Sequence, residues 1–322
     1  MALRLSIALA TYNGERYVAE QLQSFVTQRR RPDELIVCDD ASTDGTAAIV
    51  ERFASSAPFV VRFEVNASRL GCSGNFARAL SLCTGDVLFL SDQDDVWLDD
   101  KLEAIERVLL AQPDVGMVFS DMHIVDQDLK PLGYTGFDAL GFRAKAMPRV
   151  LAGRTFEALL PSNFVSGAAM GFRSQLRDLV LPVGEGWVHD EWIALLASAV
   201  MNVALVDRPF VLYRQHADQP IGLKRRNLVG QFHVAWAMGK PYMRKMVVRT
   251  EGARNRLLES GRPLLRPEYA DLLLAKLEHS RLRLALRSTV WRAPKVLAAW
   301  RRGDYDRFDY SWKSAMQDLL MP

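Results

Sequence analysis

The sequence predicts an α/β fold with a mixed, mostly parallel sheet flanked by helices, followed by a helical C-terminal region. Short apolar runs alternate with segments of helical periodicity through the first 120 residues, which is typical of βαβ units. Polar clusters follow three of the apolar runs, and parallel sheets bind ligands beyond the carboxyl ends of their strands. At 322 residues, the chain is long enough for one large domain or two smaller ones.

The predicted strands and helices follow one another in a regular order. A strand is expected where an apolar run ends at a polar turn, and a helix where apolar residues recur on one face. Residues 121–212 have a mixed pattern, and residues beyond about 223 are mainly helical. The predicted strands are residues 5–10, 35–38, 59–65, 87–90 and 115–120. The predicted helices are residues 17–25, 47–53 and 101–110, and residues 71–82 are predicted as a loop that enters a helix.

Charge is unevenly distributed along the chain, although the net charge is only +3. Residues 1–212 contain 28 acidic and 19 basic residues, whereas residues 213–322 contain 10 acidic and 22 basic residues. The sequence therefore predicts two regions. One is residues 1–222, divided near residue 120, and the other is a basic helical region of residues 223–322 that faces an anionic partner.

The cysteines and the N-terminal segment bear on the cellular location. Cys38, Cys72 and Cys83 form no Cys-x-x-Cys pair, which fits a reducing compartment. No signal peptide is apparent, and no segment reaches the ~20 apolar residues of a membrane span. A cytoplasmic location is expected.

Several fingerprints of other enzyme classes do not occur in the sequence. We find no Gly-x-Gly-x-x-Gly, no Gly-x-x-x-x-Gly-Lys-Ser/Thr and no Gly-x-Ser-x-Gly. The sequence therefore does not support a Rossmann dehydrogenase, a P-loop enzyme or an α/β-hydrolase.

Asp92-Gln93-Asp94 follows a buried apolar run and is a candidate metal site. Two carboxylates at this spacing can share a divalent cation, and oxygen ligands suit Mg²⁺ or Mn²⁺. An acidic turn that is merely solvated is the alternative. The position of Asp92-Gln93-Asp94 directly after a buried strand favours the metal site.

Several motifs together resemble the family 2 glycosyltransferases of the GT-A fold. The resemblance is collinear over about residues 3–120 and extends to about residue 220. Three of these motifs are closest to the rhamnosyltransferase-type branch: Ser91-Asp92-Gln93-Asp94-Asp95-Val96-Trp97, His189-Asp190 and Tyr213-Arg214-Gln215-His216. The motifs that carry the resemblance are Thr11-Tyr12-Asn13, Val37 to Thr46, Arg69-Leu70-Gly71 with Gly74-Asn75, Leu90 to Asp95, His189 to Trp192 and Tyr213 to His216.

The resemblance implies a donor site for a nucleotide-diphospho-sugar. Asp92 would lie near the ribose, and Asp94 would be the direct metal ligand. For two of the donor-site residues named next, a purely structural role is the alternative: Tyr12 as a half-buried aromatic and Asp40 as a helix cap. By the same resemblance, Thr11, Tyr12 and Asn13 would line the base pocket, Asp39 and Asp40 would hydrogen-bond the base or ribose, and Arg69 and Asn75 would approach the donor.

The resemblance also implies the catalytic side of the site. Asp190 would be the base of an inverting transfer, and His189 would orient it or the acceptor. Glu191 is the competing base, and Trp192 flanks the acceptor. The alternative is that His189 and Asp190 only cap a helix. Arg214 would neutralise phosphate charge, and His216 would contact the metal or the diphosphate.

The basic C-terminal region has three interpretations. Basic helices with tryptophans, here Trp291 and Trp300, bind anionic membranes, and the segment Lys224-Arg225-Arg226 adds positive charge. A solvated helical face is equally compatible. Nucleic acid is not expected, because no nucleic-acid-binding signature accompanies the charge.

These expectations define one function and its alternatives. The expected activity is an inverting, metal-dependent transfer of L-rhamnose from dTDP-L-rhamnose to a glycan or lipid-linked acceptor, as in O-antigen synthesis. The enzyme would act in the cytoplasm, with peripheral contact at the inner face of the plasma membrane as a further expectation. The alternatives are transfer of another sugar, such as galactose or N-acetylglucosamine, and a catalytically silent protein that binds a nucleotide sugar.

Overall fold

The computed structural model describes residues 2–216, 239–286 and 291–320. Each apolar run predicted as a strand between residues 5 and 120 forms one, and each predicted amphipathic segment between them forms a helix. The strands are β1 (Leu5–Thr11), β2 (Glu34–Asp39), β3 (Val60–Val65), β4 (Val87–Ser91), β5 (Val96–Trp97), β6 (Val115–Val125), β7 (Pro131–Thr135), β8 (Met170–Arg173) and β9 (Asn202–Arg214).

The helices surround these strands and continue into the C-terminal region. In the part that alternates with strands they are α1 (Val18–Val26), α2 (Thr46–Ala54), α3 (Cys72–Leu82), α4 (Lys101–Ala111), α5 (Gly136–Leu140), α6 (Phe142–Lys145), α7 (Met147–Leu151), α8 (Thr155–Leu159), α9 (Arg177–Val180) and α10 (His189–Val200). The C-terminal helices are α11 (Lys240–Glu259), α12 (Glu268–Leu286), α13 (Ala293–Arg301), α14 (Asp304–Phe308) and α15 (Trp312–Leu320).

Across the described residues, the strands form one mixed sheet. Its order is β3-β2-β1-β4-β8-β6-β9-β5, with β7 paired to β6. β3, β2, β1 and β4 are parallel neighbours, and β8 runs antiparallel between β4 and β6. The register pairs Thr11 with Asp39 and Leu9 with Ser91. The carboxyl ends of β1, β2 and β4 therefore meet at one edge, where the polar clusters follow them.

Helices cover both faces of the sheet, so the central strands are buried on both sides. Every residue of β2 and β4 is buried. Phe25 and Trp97 belong to the core on one face, and Phe76 and Trp192 belong to the core on the other. Burying one such large apolar side chain stabilises the fold by about 1.5–3 kcal/mol.

Two short strands are not apparent in the sequence pattern. β5 has only two residues, directly after the acidic turn, and pairs with β9. β8 has four residues and is inserted between β4 and β6. Their partners lie far away along the chain, so local periodicity does not reveal them.

The C-terminal helices share a core with the sheet. Leu257 of α11 and Tyr269 of α12 belong to the same buried cluster as Phe76 and Trp192. The Tyr269 ring stacks on Phe156 with 4.2 Å between ring centres. No helix in the described ranges is long and apolar enough to cross a membrane.

Helix α15 carries its large apolar side chains on the outside. Buried Asp318 accepts a hydrogen bond from Arg283 Nε at 2.7 Å. Trp312, Met316 and Leu320 are exposed, and their spacing of four residues places them in one stripe. A buried polar side and an exposed apolar stripe are the reverse of an ordinary surface helix.

Candidate active site

Hydrogen bonds between polar side chains join the carboxyl ends of β1 and β2. Thr11 Oγ1 donates to Asp39 Oδ2 at 2.8 Å, and the backbone N–H and hydroxyl of Ser42 donate to the same carboxylate at 2.7 and 2.6 Å. Asn13 Oδ1 accepts from the Thr43 N–H at 2.9 Å. Thr11 and Asp39 are buried, whereas Asn13 is exposed. Of Thr11, Asn13 and Asp39, which were predicted to bind the sugar donor, Asn13 is thus the one accessible to a ligand.

Asp40 anchors the loop that precedes α3. Its carboxylate accepts hydrogen bonds from the backbone N–H groups of Leu70 and Gly71 at 2.6 and 2.8 Å, and from Asn66 Nδ2 at 2.9 Å. Gly71 has φ 77°, a conformation that glycine adopts without steric cost. These bonds give Asp40 a structural role in the loop, and its contact with a base or ribose stays a prediction.

Tyr12 and Arg69 stack at the strand edge. The Arg69 guanidinium lies 3.9 Å from the centre of the Tyr12 ring, and Arg69 Nε is 4.0 Å from Asp40 Oδ2. The backbone of Tyr12 exchanges two hydrogen bonds with the Gln93 side chain, at 2.8 and 3.0 Å. Gln93 therefore ties the end of β1 to the acidic turn after β4.

Asn75 lies beneath these loops and is enclosed by protein groups. Its Nδ2 donates to the Cys38 carbonyl at 2.8 Å, and its Oδ1 accepts from Asn66 Nδ2 at 2.9 Å. Asn75 is buried. Its contacts support the strand ends from within, so any influence on a donor would be indirect.

The acidic turn after β4 concentrates negative charge. Burial, with smaller contributions from Asp94 and Asp190, raises the pKa of Asp92 to about 7. Asp95 is fully buried, and burial raises its pKa well above the usual range. Lys101 is also fully buried and interacts electrostatically with Asp92 and Asp95. Burial lowers the pKa of Lys101 well below its usual range, and the charges of Asp95 and Asp92 oppose that fall.

Asp94 and His216 form a pair that suits a divalent cation. Asp94 Oδ2 is 2.9 Å from His216 Nε2, and the buried His216 Nδ1 has no hydrogen-bond partner among the described residues. Mg²⁺ is commonly held by one or two carboxylates together with substrate phosphates. The described chain assembles no group of three His, Cys, Asp or Glu side chains around a metal position. The pair therefore fits a cation whose other ligands come from a diphosphate and water.

Arg214 is buried at the end of β9. Its Nε donates to the Asp94 carbonyl at 2.7 Å, and its other nitrogens donate to the Gln127 carbonyl and to Glu20. The guanidinium also lies 4.5 Å from the centre of the Tyr17 ring. These contacts fix the position of the acidic turn, and a direct contact between Arg214 and a phosphate would require exchanging them.

Asp190 is the second residue of α10. Its Oδ1 accepts from the Glu191 N–H at 2.6 Å, and its Oδ2 accepts from the Gly167 N–H at 3.3 Å. Burial raises the pKa of Asp190 to about 6, although these hydrogen bonds and the charge of Arg249 oppose the rise. A carboxyl that is ionised near neutral pH and partly shielded from water has the properties of a general base.

His189 is packed beneath the start of α10. Its ring stacks on Phe76 with 4.1 Å between ring centres. Burial lowers the pKa of His189 to about 3, so the imidazole is neutral at physiological pH. Its Nδ1 has no hydrogen-bond partner within the described ranges. His189 thus stabilises the helix start by packing and adds no charge beside Asp190.

Glu191 and Trp192 point in different directions from α10. Glu191 forms an ion pair with Arg249 of α11 and lines a cleft there. Trp192 is buried in the core, and its Nε1 donates to the Val180 carbonyl at 2.8 Å. Half-buried Trp187 lines the cleft, with its ring centre 4.0 Å from the Arg249 guanidinium. Trp187 and Trp192 lie on either side of His189-Asp190-Glu191 in the sequence, and Trp187 is the accessible one of the two.

Four predicted carboxylates come together around one space. Burial, followed by the charges of Asp92, Asp190, Asp40 and Asp94, raises the pKa of the Cys72 thiol to about 12. Coulomb interactions weaken with distance, so all four carboxylates lie near the start of α3. The predicted base therefore lies within electrostatic range of the predicted donor-binding and metal-binding residues.

Other residues of this site carry little or no sequence signal. Lys101 and Arg249 look like ordinary basic residues of helices, and Phe76 looks like an ordinary core residue. Their roles depend on contacts with residues far away along the chain. The sequence gives one indication that Gln93 belongs to the site, namely its position between Asp92 and Asp94.

Comparison with known proteins finds relatives over two thirds of the chain. The dTDP-rhamnosyl transferase RfbG of Shigella flexneri is 28% identical over 223 residues, which cover 66% of this chain and 73% of RfbG. An uncharacterized protein of Mycobacterium tuberculosis is 29% identical over 221 residues, which cover 66% of this chain. The match spans only 59% of that mycobacterial relative's length.

Solved structures match nearly the whole chain. TarS of S. aureus in complex with UDP-GlcNAc has a TM-score of 0.61 at 16% identity, covering 98% of this chain and 90% of the TarS chain. The mannosyltransferase PcManGT from Pyrobaculum calidifontis, in complex with GDP-Man and Mn²⁺, has a TM-score of 0.51 at 19% identity, covering 99% and 88%. The likeness confirms the predicted GT-A fold with a helical C-terminal region.

The family model described as "Glycosyl transferase family 2" matches residues 6–179. That segment begins in β1 and ends in α9, so it contains all three strand-end clusters, including the acidic turn. The match covers more than half of the 322 residues. As the motifs predicted, the chain belongs to glycosyl transferase family 2.

Proposed function

We propose that the protein is an inverting, metal-dependent glycosyltransferase that uses a nucleotide-diphospho-sugar donor. The observation that carries this proposal is the position of Asp190 beside the acidic turn. Its carboxyl has a pKa of about 6 and raises the pKa of Asp92. A base and a diphosphate site would therefore lie on two sides of one space.

The chemistry follows from this arrangement. Asp190 accepts the proton of an acceptor hydroxyl while that oxygen attacks the anomeric carbon of the donor sugar. The bond between this carbon and the diphosphate oxygen breaks, and the diphosphate leaves from the opposite face. When bound by Asp94 and His216, a divalent cation would offset the charge on the diphosphate.

The donor pocket is proposed at the strand edge. Tyr12, under the Arg69 guanidinium, and exposed Asn13 provide an aromatic and polar surface for the base. Thr11 and Asp39 would support this surface through their mutual hydrogen bond. Buried Asn75 and Arg214 would act indirectly, by holding the strand ends and the acidic turn.

The proposed sugar is L-rhamnose, donated by dTDP-L-rhamnose. The support is the resemblance of the acidic-turn and Tyr213-Arg214-Gln215-His216 motifs to the rhamnosyltransferase-type branch, together with the similarity to RfbG. The acceptor would be a glycan or a lipid-linked sugar in the synthesis of a surface polysaccharide such as O-antigen. Galactose and N-acetylglucosamine are the alternative sugars.

The C-terminal helices support peripheral contact with an anionic membrane. The apolar stripe on α15, which includes Trp312, is exposed, as is Trp300 of α13, and Trp291 just before α13 is 82% exposed. Arg301 at the end of α13 adds exposed positive charge. Aromatic and basic side chains together favour anionic lipid interfaces. The segment 224–226 lies outside the described residues, and a solvated face remains the alternative.

A panel of nucleotide sugars tests the proposed function. Thermal shifts with dTDP-L-rhamnose, UDP-galactose and UDP-GlcNAc, each with Mg²⁺ or Mn²⁺, would identify the donor. Hydrolysis and transfer are then measured with the donor that binds. We expect metal-dependent stabilisation and slow hydrolysis with dTDP-L-rhamnose. Tight donor binding without hydrolysis or transfer would instead support the silent binding protein.

A further inference from the structure

A second site adjoins Asp190 in the cleft between the start of α10 and helix α11, here called the α10–α11 cleft. Tyr242, Met246 and Arg249 line it from α11, and their spacing of four and three residues places them on one helix face. Residues 159–163, Trp187, Glu191 and Leu195 line it from the opposite side. The residues that define the cleft are Asn163, Trp187, Glu191, Tyr242, Arg249 and Lys276.

Two cationic side chains and one carboxylate line this cleft, among apolar and aromatic residues. Arg249 and Lys276 line it, and exposed Lys245 interacts electrostatically with Glu191 from one turn before Arg249. Glu191 is the one carboxylate among the described lining residues. Asp309 lies behind Lys276, where Arg283 and His279 already bind it.

Arg249 has an N–H group that forms no hydrogen bond with the described residues. Its Nη2 pairs with Glu191, while its buried Nε has no hydrogen-bond partner among the described residues. Lys276 Nζ donates to the carbonyls of Leu160 and Phe308 at 2.6 and 3.1 Å, and an ammonium group has a third hydrogen to donate. Two cationic side chains that line the cleft therefore each have an N–H without a hydrogen-bond partner among the described residues.

The wall of the cleft leads directly to Asp190. Asn163 holds the Val165 backbone through hydrogen bonds at 2.7 and 3.0 Å. Two residues further along, the Gly167 N–H donates to Asp190. Glu191, which also lines the cleft, is the neighbour of Asp190 in the chain. A molecule with one end in the cleft would therefore have its other end near Asp190.

We propose that the α10–α11 cleft binds a phosphate or diphosphate group of the acceptor, whose sugar presents its hydroxyl to Asp190. This inference rests on the proposed function. Arginine binds phosphate through charge-assisted hydrogen bonds, and lysine contributes as a point charge. The cleft is built partly from the C-terminal helices, so those helices select the acceptor, while the strand edge binds the donor.

Binding of a sugar phosphate tests this subsite without relying on turnover. The probe is N-acetylglucosamine 1-phosphate, titrated by calorimetry into full-length protein that is saturated with Mg²⁺ and a nucleoside diphosphate. Methyl N-acetylglucosaminide is the neutral comparison. We expect the phosphate to improve binding in wild-type protein, and Arg249→Met to weaken probe binding at least ~10-fold, about 1.4 kcal/mol.

Arg244→Met is the matched control, because Arg244 is exposed on the same helix and does not line the cleft. It should leave probe binding unchanged. Because Arg249→Met leaves Glu191 without its partner, the double variant Glu191→Gln/Arg249→Met is also measured. It removes both charges, and it should lose the preference for the phosphorylated sugar.

Three results would overturn the proposal. They are equal binding of the phosphorylated and neutral sugars by wild type, probe affinity unchanged in a folded Arg249→Met or double variant, and displacement of the probe by the nucleotide. A polyprenyl-diphosphate-linked N-acetylglucosamine that binds more tightly than the free sugar phosphate would assign the subsite to a lipid-linked acceptor. Equal binding would assign it to a soluble one. Failure of transfer with this discrimination intact would count against the proposed function alone.

Discussion

Replacing Asp190 by asparagine tests the identity of the base. The change keeps the size of the side chain but removes its ability to accept a proton. It also keeps only one of the two hydrogen bonds from the Gly167 and Glu191 N–H groups, because an amide has one acceptor oxygen. The wild-type pKa of about 6 lies near the operating pH at which general bases are most effective. Loss of general-base catalysis costs about 10²–10⁴ in rate, or roughly 2.7–5.4 kcal/mol in the barrier.

Glu191→Gln provides the matched comparison. Successive residues of a helix point about 100° apart, and Glu191 is directed toward Arg249. We expect the loss of the Glu191 charge to lower the free energy of unfolding by about 1.5–3 kcal/mol, the range for a hydrogen bond to a charged group. Its effect on turnover should be much smaller than that of Asp190→Asn.

The assay measures kcat, donor Kd and the thermal midpoint of both variants. Asp190→Asn should lower kcat while donor affinity changes little, because the proposed donor contacts come from the strand edge. An inactive Glu191→Gln with an active Asp190→Asn would refute the assignment. If both remain active, His189 and Asp190 only cap the helix and the base lies elsewhere.

Four further outcomes follow from the structure. Wild-type kcat should fall as the pH falls through about 6, because Asp190 must be ionised; a flat profile from pH 5 to 8 would contradict this. Activity should disappear in excess EDTA and in Asp94→Ala, and full activity with EDTA would exclude the metal proposal. Asp40→Asn should lower the free energy of unfolding by about 1–3 kcal/mol, since it weakens the three hydrogen bonds by which buried Asp40 anchors the loop before α3; denaturant titration measures this, and an unchanged midpoint would argue against the anchoring role. Sedimentation with anionic vesicles should decrease with rising salt and in Trp312→Ser/Met316→Ser, whereas indifference to both would favour a solvated face.

The first four strands could be predicted because their information is local. Each has an apolar run bounded by a turn, and each following helix has one apolar face. β8 could not be predicted, because four residues are too few to show a period. Its position between β4 and β6 depends on pairing with Phe89 and Val118 through Gly171, which are distant in the chain.

The candidate site shows the same division. Collinear motifs indicated the carboxylates Asp40, Asp92, Asp94 and Asp190, and the structure brings these together. Motif order could not show whether a side chain is accessible. Arg214 donates to Glu20 of α1 and to the carbonyls of Asp94 and Gln127, so it is enclosed by protein groups that motif order alone does not reveal.

The C-terminal helices take part in the environment of the proposed base. Arg249 of α11 opposes the rise in the pKa of Asp190 and pairs with Glu191. Leu257 and Tyr269 lie in the same buried cluster as Trp192, two residues after Asp190. The sequence boundary near residue 222 marks a change from acidic to basic composition, but residues from both sides of it pack into one buried cluster. Because the base depends on packing and charge from both sides, we infer that the two regions work as one catalytic unit.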